Sequence, residues 1–393
     1  MLTAAALPPL SPEESEHCAR VAAYLRVLIE EAGGWLPFSQ FMNAALFAPG
    51  LGYYMAGRQR FGAGGDFVTA PELSPLFAHC LAVPVVELLG RIDGGEILEL
   101  GAGNGKLAAD LLQALAMRSA LPRRYRIVEV SAALRAEQRA RLAGIPSCAD
   151  RVEWLDTLPM DDWRGVVIAN EVIDALPVER FRIIETGCEV FGVIVDESGF
   201  AWRARPAEAP LAAQVESTMV RLPAKLPAGF VSELRPMLPA WLATVSASLA
   251  HGAMLVFDYG LPRAQYYHAS RDGGTLCGFY RHHRVDDVLT RPGLQDLTAW
   301  VDFSALADAA VGCGLAVEGF ATQAHFLAAS GIDRELAALV ENASEGERFA
   351  LTQSAQMLML PGEMGERFKV MALTRGIAGQ LTGFGFRDLS QSL

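Results

Sequence analysis

Residues Ile97–Lys106, ILELGAGNGK, constrain the fold more than any other stretch of this chain. Ile97, Leu98, Glu99 and Leu100 read as the end of a mostly buried strand. Gly101, Gly103 and Gly105 then allow a tight turn and a close backbone approach. The run Leu107–Met117 has the apolar spacing of a helix. Strand, glycine turn and helix N-terminus together form a site for a small nucleotide-like ligand, because the first helical N–H groups have no partner within the helix. A plain structural turn uses the same residues, and the loop alone does not separate the two readings. The dinucleotide fingerprint puts its third glycine one residue later. Lys106 stands there, which argues against a nicotinamide site.

The following segments extend this unit into an open α/β sheet. Arg126–Val130 reads as the next strand, with Glu129 at its carboxyl end and Ser131 able to cap the helix that follows. In a doubly wound sheet a carboxylate here reaches the ribose hydroxyls of a nucleoside; a solvated strand-end acid is the plainer reading. Arg151–Leu155 and Gly165–Ala169 follow at βαβ-compatible intervals. Asp156 lies just past the third strand, placed to accept from an adenine amine, and Trp154 reads as a core residue. The fourth strand ends in NEVIDALP, residues 170–177. Asn170, Glu171 and Asp174 thus reach the carboxyl edge, where open parallel sheets form their crevices. These three are the candidate catalytic residues, with Asn170 also a cofactor candidate; the alternative is a polar turn before a helix. Met254–Phe257 reads as strand five, delivering Asp258, Tyr259 and Gly260 to the same edge. Leu315–Thr322 and Phe368–Leu373 complete the set. Thr69 and Glu72 fit ligand contact and helix capping equally.

The combination resembles the MidA-like family of class I S-adenosylmethionine-dependent methyltransferases, which includes a mitochondrial assembly factor for respiratory complex I. Five segments carry the resemblance in order: GDFVTAPELS (65–74), ELGAGNGKLAADLL (99–112), NEVIDALPVERF (170–181), GLQDLTAWVDF (293–303) and LPGEMGERFKVMAL (360–373). Departures are local: Ala102 and Asn104 where Pro and Arg are common, Val172 and Ile173 where paired aromatics are common, and Trp300 where His is common. The resemblance implies a Rossmann-like doubly wound sheet with an antiparallel last strand and S-adenosyl-L-methionine as cofactor. It puts Glu99, Gly101, Gly103 and Gly105 in the cofactor loop, and Glu129, Asp156, Thr69 and Asn170, read from their own positions and chemistry, complete the cofactor candidates. It implies a protein acceptor, arginine in its mitochondrial member, on a subunit of a respiratory complex. Glu171 and Asp174 are then the acids that orient a guanidinium, with Glu363 and Glu366 in reserve. Two alternatives stay open: a small-molecule acceptor held by Tyr266, Tyr267 and Tyr280, and an assembly factor that binds the cofactor without turnover.

Domain organisation is expected as a helical amino-terminal cap at 1–94, the first half of the methyltransferase domain at 95–181, and an insertion of short strands and a helix at 182–250. Strand five at 251–260, a second insertion at 261–302, the carboxyl-terminal half at 303–376 and a tail at 377–393 follow. Within them, helices are expected over Glu72–Leu89 and Phe230–His251, and a loop over Pro206–Pro227. Asp and Glu outnumber Lys and Arg by 45 to 33, a net charge of −12. That disfavours nucleic acid as partner, since phosphate binding needs a basic face, and permits a basic protein acceptor. The six cysteines are scattered without ligand spacing, so neither a metal site nor a disulfide framework is expected. No segment reads as membrane-inserted. The apolar start lacks a basic flank or an Arg-rich import pattern, and a cytoplasmic location is expected. Oligomeric state is left open.

Overall fold

The computed structural model describes residues 7–57, 69–145, 149–341 and 343–393. Gly62–Gly65, which reads in sequence as a loop, the start of the first family segment (65–68) and Cys148 lie outside the described residues. The chain divides into two compact units.

The larger unit, built from Val68–Asp174, Leu238–Pro262 and Val301–Leu393, contains the α/β sheet. Its principal strands are β1 (Glu96–Leu100), β2 (Tyr125–Val128), β3 (Val152–Leu155), β4 (Trp163–Asn170), β5 (Leu249–Leu261), β6 (Ala316–Thr322) and β7 (Phe368–Arg375). They lie in the order β3-β2-β1-β4-β5-β7-β6. Strands β1 to β5 pair in parallel, and β7 runs antiparallel to both β5 and β6. This is the class I methyltransferase topology, antiparallel last strand included. The centre of the sheet is apolar on both faces. Val166, Val167, Ile168 and Ala169 in β4, like Leu255, Val256 and Phe257 in β5, are fully buried. Continuous apolar runs of this kind mark strands covered on both sides. From β1 the chain goes to β2 on one side, while β4 lies on the other. The carboxyl edge between β1 and β4 is therefore the topological switch point.

Three helices position that edge: α1 (Leu76–Arg91), α2 (Lys106–Met117) and α3 (Ala132–Leu142). The helix expected over Glu72–Leu89 is broken, with Ala70–Leu73 forming a separate turn. Pro75 causes the break, because it drives the preceding Ser74 into an extended conformation. Leu76, Phe77, Leu81, Val85 and Leu88 of α1 join the sheet's own core. The amino-terminal region 1–94 is accordingly shared between the two units rather than forming one layer. At the other end, Ile377, Leu381 and Phe384 enter the same core. Phe320 of β6 donates to Asp388 and accepts from the Leu389 amide at 2.6 Å. The carboxyl-terminal residues thereby cover the sheet's edge strand.

The smaller unit comprises segments within Met1–Phe67, Ala175–Met237 and Arg263–Trp300. Its helix Pro12–Glu31 starts at a capping box between Ser11 and Glu14, as the SPEE sequence implies. An antiparallel sheet contains Glu179–Ile184, Gly187–Asp196 and Gly199–Pro206, joined by tight turns at 185–186 and 197–198. Two expectations fail here. Val231–Leu234 is a strand paired with Glu179–Arg182 rather than the start of a helix. Pro236 keeps the residue before it out of the α region, and the helix begins only at Leu238, across the unit boundary. The expected loop after Pro206 contains the helix Ala209–Met219, which has proline in its first turn.

Candidate functional site

The carboxyl edge of the larger unit brings together most of the expected residues. Gly101, Gly103 and Gly105 all have positive φ, at 64°, 53° and 81°. A Cβ on Gly101 would lie 3.1 Å from Val172, and one on Gly105 would lie 3.2 Å from Gln138. The loop therefore needs glycine for both conformation and space. Asn104 accepts from the Lys106 amide at 3.0 Å, closing the turn into α2.

Glu129 is buried, and its two oxygens accept from the Ser131 amide at 2.8 Å and from Gln138 at 3.2 Å. Burial pushes its carboxyl up from the usual range, against those hydrogen bonds. Ser131 caps α3 as its position suggests. Beside Glu129, Val130 is 63% exposed. Asp156 extends into solvent, with its side chain 87% exposed, and one oxygen accepts from Arg135 at 2.6 Å. Glu99 lies near the end of β1, just before the loop. It is buried to 2% and accepts from the Tyr125 hydroxyl at 2.7 Å, so it braces the strand beneath the loop. Burial raises its pKa to about 7, and the tyrosine hydrogen bond opposes the shift.

Past β4, Glu171 takes a left-handed backbone at φ 52°. Its oxygens accept from the Tyr259 hydroxyl at 2.8 Å and the Asn170 amide at 3.3 Å. Burial raises the Glu171 pKa to about 8; Asp174 adds to the shift, while the hydrogen bonds from Tyr259, Asn170 and the Ala70 amide oppose it. The Ala70 contact sets the Thr69 turn beside Glu171. The Thr69 hydroxyl makes no helix-capping bond, so the capping reading does not describe it. Asn170 Oδ1 is a buried acceptor with no hydrogen-bond partner. Asp258 is fully buried and accepts from the Ile173 and Asp174 amides at 3.0 and 3.1 Å. The acid of β5 thus fixes the loop that presents the acids of β4.

Sequence reasoning missed Tyr259 as a partner of Glu171, although its place at the end of strand five was a signal. It also missed Arg135, Gln138 and Arg141 of α3, which in sequence are ordinary polar residues of a helix. Glu363 and Glu366 are exposed near the start of β7. In the smaller unit, the Tyr266 and Tyr267 rings are buried and their hydroxyls bond to Glu233. They are thus occupied in holding their own fold. His282 lies in an exposed turn at φ 62°. No helix among the described residues is long and apolar enough to cross a membrane.

These features fit an adenosyl cofactor: a glycine cradle that a Cβ would fill, a carboxylate at the end of the second strand, and an unpaired buried amide oxygen. The comparisons agree. A family model described as "Putative S-adenosyl-L-methionine-dependent methyltransferase" matches residues 80–321. The rat protein named protein arginine methyltransferase NDUFAF7, mitochondrial, is 30% identical over 92% of this chain and 86% of its own length. Its human counterpart is also 30% identical, over 86% of this chain and 80% of its own. A Burkholderia thailandensis protein solved with S-adenosyl-homocysteine bound is 43% identical, covers 99% of this chain and 100% of its own, and superposes with a TM-score of 0.92. The cytoplasmic location expected from the sequence is overturned by the curated relatives, whose names are mitochondrial. That expectation rested on the lack of an import-like segment, which does not define a compartment.

Proposed function

We propose, starting from the fact that this chain belongs to the S-adenosyl-L-methionine-dependent methyltransferase family, that its acceptor is an arginine side chain presented by a protein. The chain is a methyltransferase, and S-adenosyl-L-methionine is its methyl donor. The observation that carries the acceptor reading is the Glu171 carboxyl, held by Tyr259 and Asn170 beside the switch point. The names of the relatives support the same reading.

When bound, the donor supplies a methyl group on a sulfonium for in-line displacement. The glycine loop cradles it, Glu129 accepts from its ribose hydroxyls, and Asn170 Oδ1 accepts from one of its donors. The second oxygen of Asp156 and the exposed face of Val130 serve the purine, while Thr69 offers a hydroxyl. Glu171 and Asp174 bind the acceptor. A guanidinium is planar, with five N–H donors, and is charged at all ordinary pH values. A carboxylate pairs with it and localises nucleophilic character on one nitrogen. The nitrogen that gains the methyl must shed a proton, and the Glu171 carboxylate, ionised once the guanidinium pairs with it, accepts it. A subunit of a respiratory complex is the candidate acceptor protein.

The test is incubation with methyl-labelled donor and mitochondrial or bacterial extract, followed by mass-spectrometric location of the mark. Label on arginine of a protein is expected. Label confined to small molecules would favour that alternative, and donor binding with no transfer to any partner would favour the assembly factor.

A further inference from the structure

The polar face of α3 does more than a surface helix requires. Arg135, Gln138 and Arg141 recur every three residues, hence along one side of the helix. Gln138 is fully buried and makes three hydrogen bonds to three separate elements. Its amide nitrogen donates to the Gly103 carbonyl at 2.8 Å and to Glu129 at 3.2 Å. Its amide oxygen accepts from the Trp154 indole at 2.9 Å. Two acceptors on one side and a donor on the other fix which way the amide lies. Arg141 donates to the next loop carbonyl, Asn104, at 3.0 Å. Arg135 donates to the Glu129 carbonyl at 2.7 Å and the Leu155 carbonyl at 2.9 Å, as well as to Asp156.

We propose that α3 is a preset clamp for the methyl-donor site, with Gln138 the positioning residue that locks the glycine loop, Glu129 and Trp154 into one register. The inference rests on the placement of the donor's ribose at Glu129. In a trans peptide the C=O and the following N–H point in opposite directions. Pinning the Gly103 carbonyl toward α3 therefore turns the Asn104 N–H away from the helix. The same amide nitrogen holds one Glu129 oxygen still, so the diol acceptor and the loop are oriented before any ligand arrives. Such preorganisation spares the ligand the cost of ordering the site. Trp154 is part of the same chain of bonds, and Arg139 lies 5.1 Å over its ring. Its indole is the natural reporter of occupancy at Glu129.

The test uses the full chain and S-adenosyl-homocysteine as probe. Gln138→Leu keeps the volume and removes all three bonds. Affinity by calorimetric titration should fall by about ten- to a hundredfold, the range for one or two lost hydrogen bonds to buried or charged partners. In turnover, KM for the methyl donor should rise while kcat at saturation holds. A merely structural glutamine would instead lower the thermal midpoint and depress every parameter together. The probe should change tryptophan fluorescence in the parent, and Trp154→Phe should abolish that change. Should Gln138→Leu fail to fold, Arg141→Met, at an exposed position, should weaken the probe severalfold with the thermal midpoint unchanged. Glu129→Ala separates the two levels. Loss of affinity in Glu129→Ala with parent-like affinity in the α3 variants overturns the clamp alone. Parent-like affinity in all of them overturns the ribose placement and the clamp together.

Discussion

Glu171 combines a left-handed backbone, two hydrogen-bonded carboxyl oxygens and a pKa raised to about 8. Its folded value lies above the ordinary 4.5, so between those values the folded state binds more protons than the unfolded one. Stability must then fall as pH rises through that window. Glu171→Gln removes the titration, and the pH dependence of the thermal midpoint should flatten between about 5 and about 8. A slope equal to the parent's would deny the shift. Binding a guanidinium favours the ionised carboxyl, so acceptor binding below pH 8 should release a proton and acceptor affinity should rise with pH. Calorimetry in buffers of different ionisation heat measures that proton directly. Glu129 and Gly103 make the complementary prediction for the methyl donor. Glu129→Ala should cost about 1–3 kcal/mol of cofactor affinity, the value of buried hydrogen bonds to a charged group. Gly103→Val should lose more, because φ 53° is strained for a branched residue. Unchanged titration in both folded variants would remove the donor from this loop.

At the scale of elements, the sheet was legible wherever local pattern and burial coincide. The ILEL and MLVF runs and the glycine turn left few alternatives, and each became a strand or loop of the sheet unit. Proline decided several cases where apolar pattern misled. Pro75 broke the helix expected from Glu72, and Pro236 left Val231–Leu234 to pair as a strand. The site divides in the same way. The placement of residues at strand ends was predictable from topology, since a switch point gathers whatever follows β1, β2 and β4. Gln138 was not, because a polar residue on a helix shows its value only when its neighbours in space are known. The bond between Glu99 and Tyr125 was hidden for a related reason: it joins neighbouring strands whose pairing the sequence does not show. Asp258 links two elements in a testable way. Asp258→Leu would leave the Ile173 and Asp174 amides without their acceptor, about 1–3 kcal/mol for each buried group. Chemical denaturation should show that loss, with transfer activity falling through displacement of the β4 loop. A variant of parent stability would show that the loop is held otherwise.

At the scale of the whole molecule, the carboxyl-terminal segment is part of the larger unit's core rather than an appendage to it. Leu381 and Phe384 sit in the main core, and the last residues bond along β6. Removing residues 377–393 should expose both an apolar surface and a strand edge, so the shortened chain should aggregate or bind a hydrophobic dye. Light scattering checks this, and a monodisperse shortened chain would show the segment to be dispensable. The acidic balance of the chain suits a cationic acceptor, so transfer to an arginine-bearing protein should slow as salt rises. The central claim joins these scales: a family cofactor site and two acids of the β4 loop act on one arginine. The most direct measurement is a rapid-quench single turnover, with saturating labelled donor and acceptor, comparing the parent with Glu171→Gln and Asp174→Asn. Both variants should bind the cofactor with parent affinity, and Glu171→Gln should lose at least about a hundredfold in the methyl-transfer step, the usual scale for a positioned acid or base. Full-rate transfer in both variants would contradict the account and place the acceptor site elsewhere on the methyltransferase.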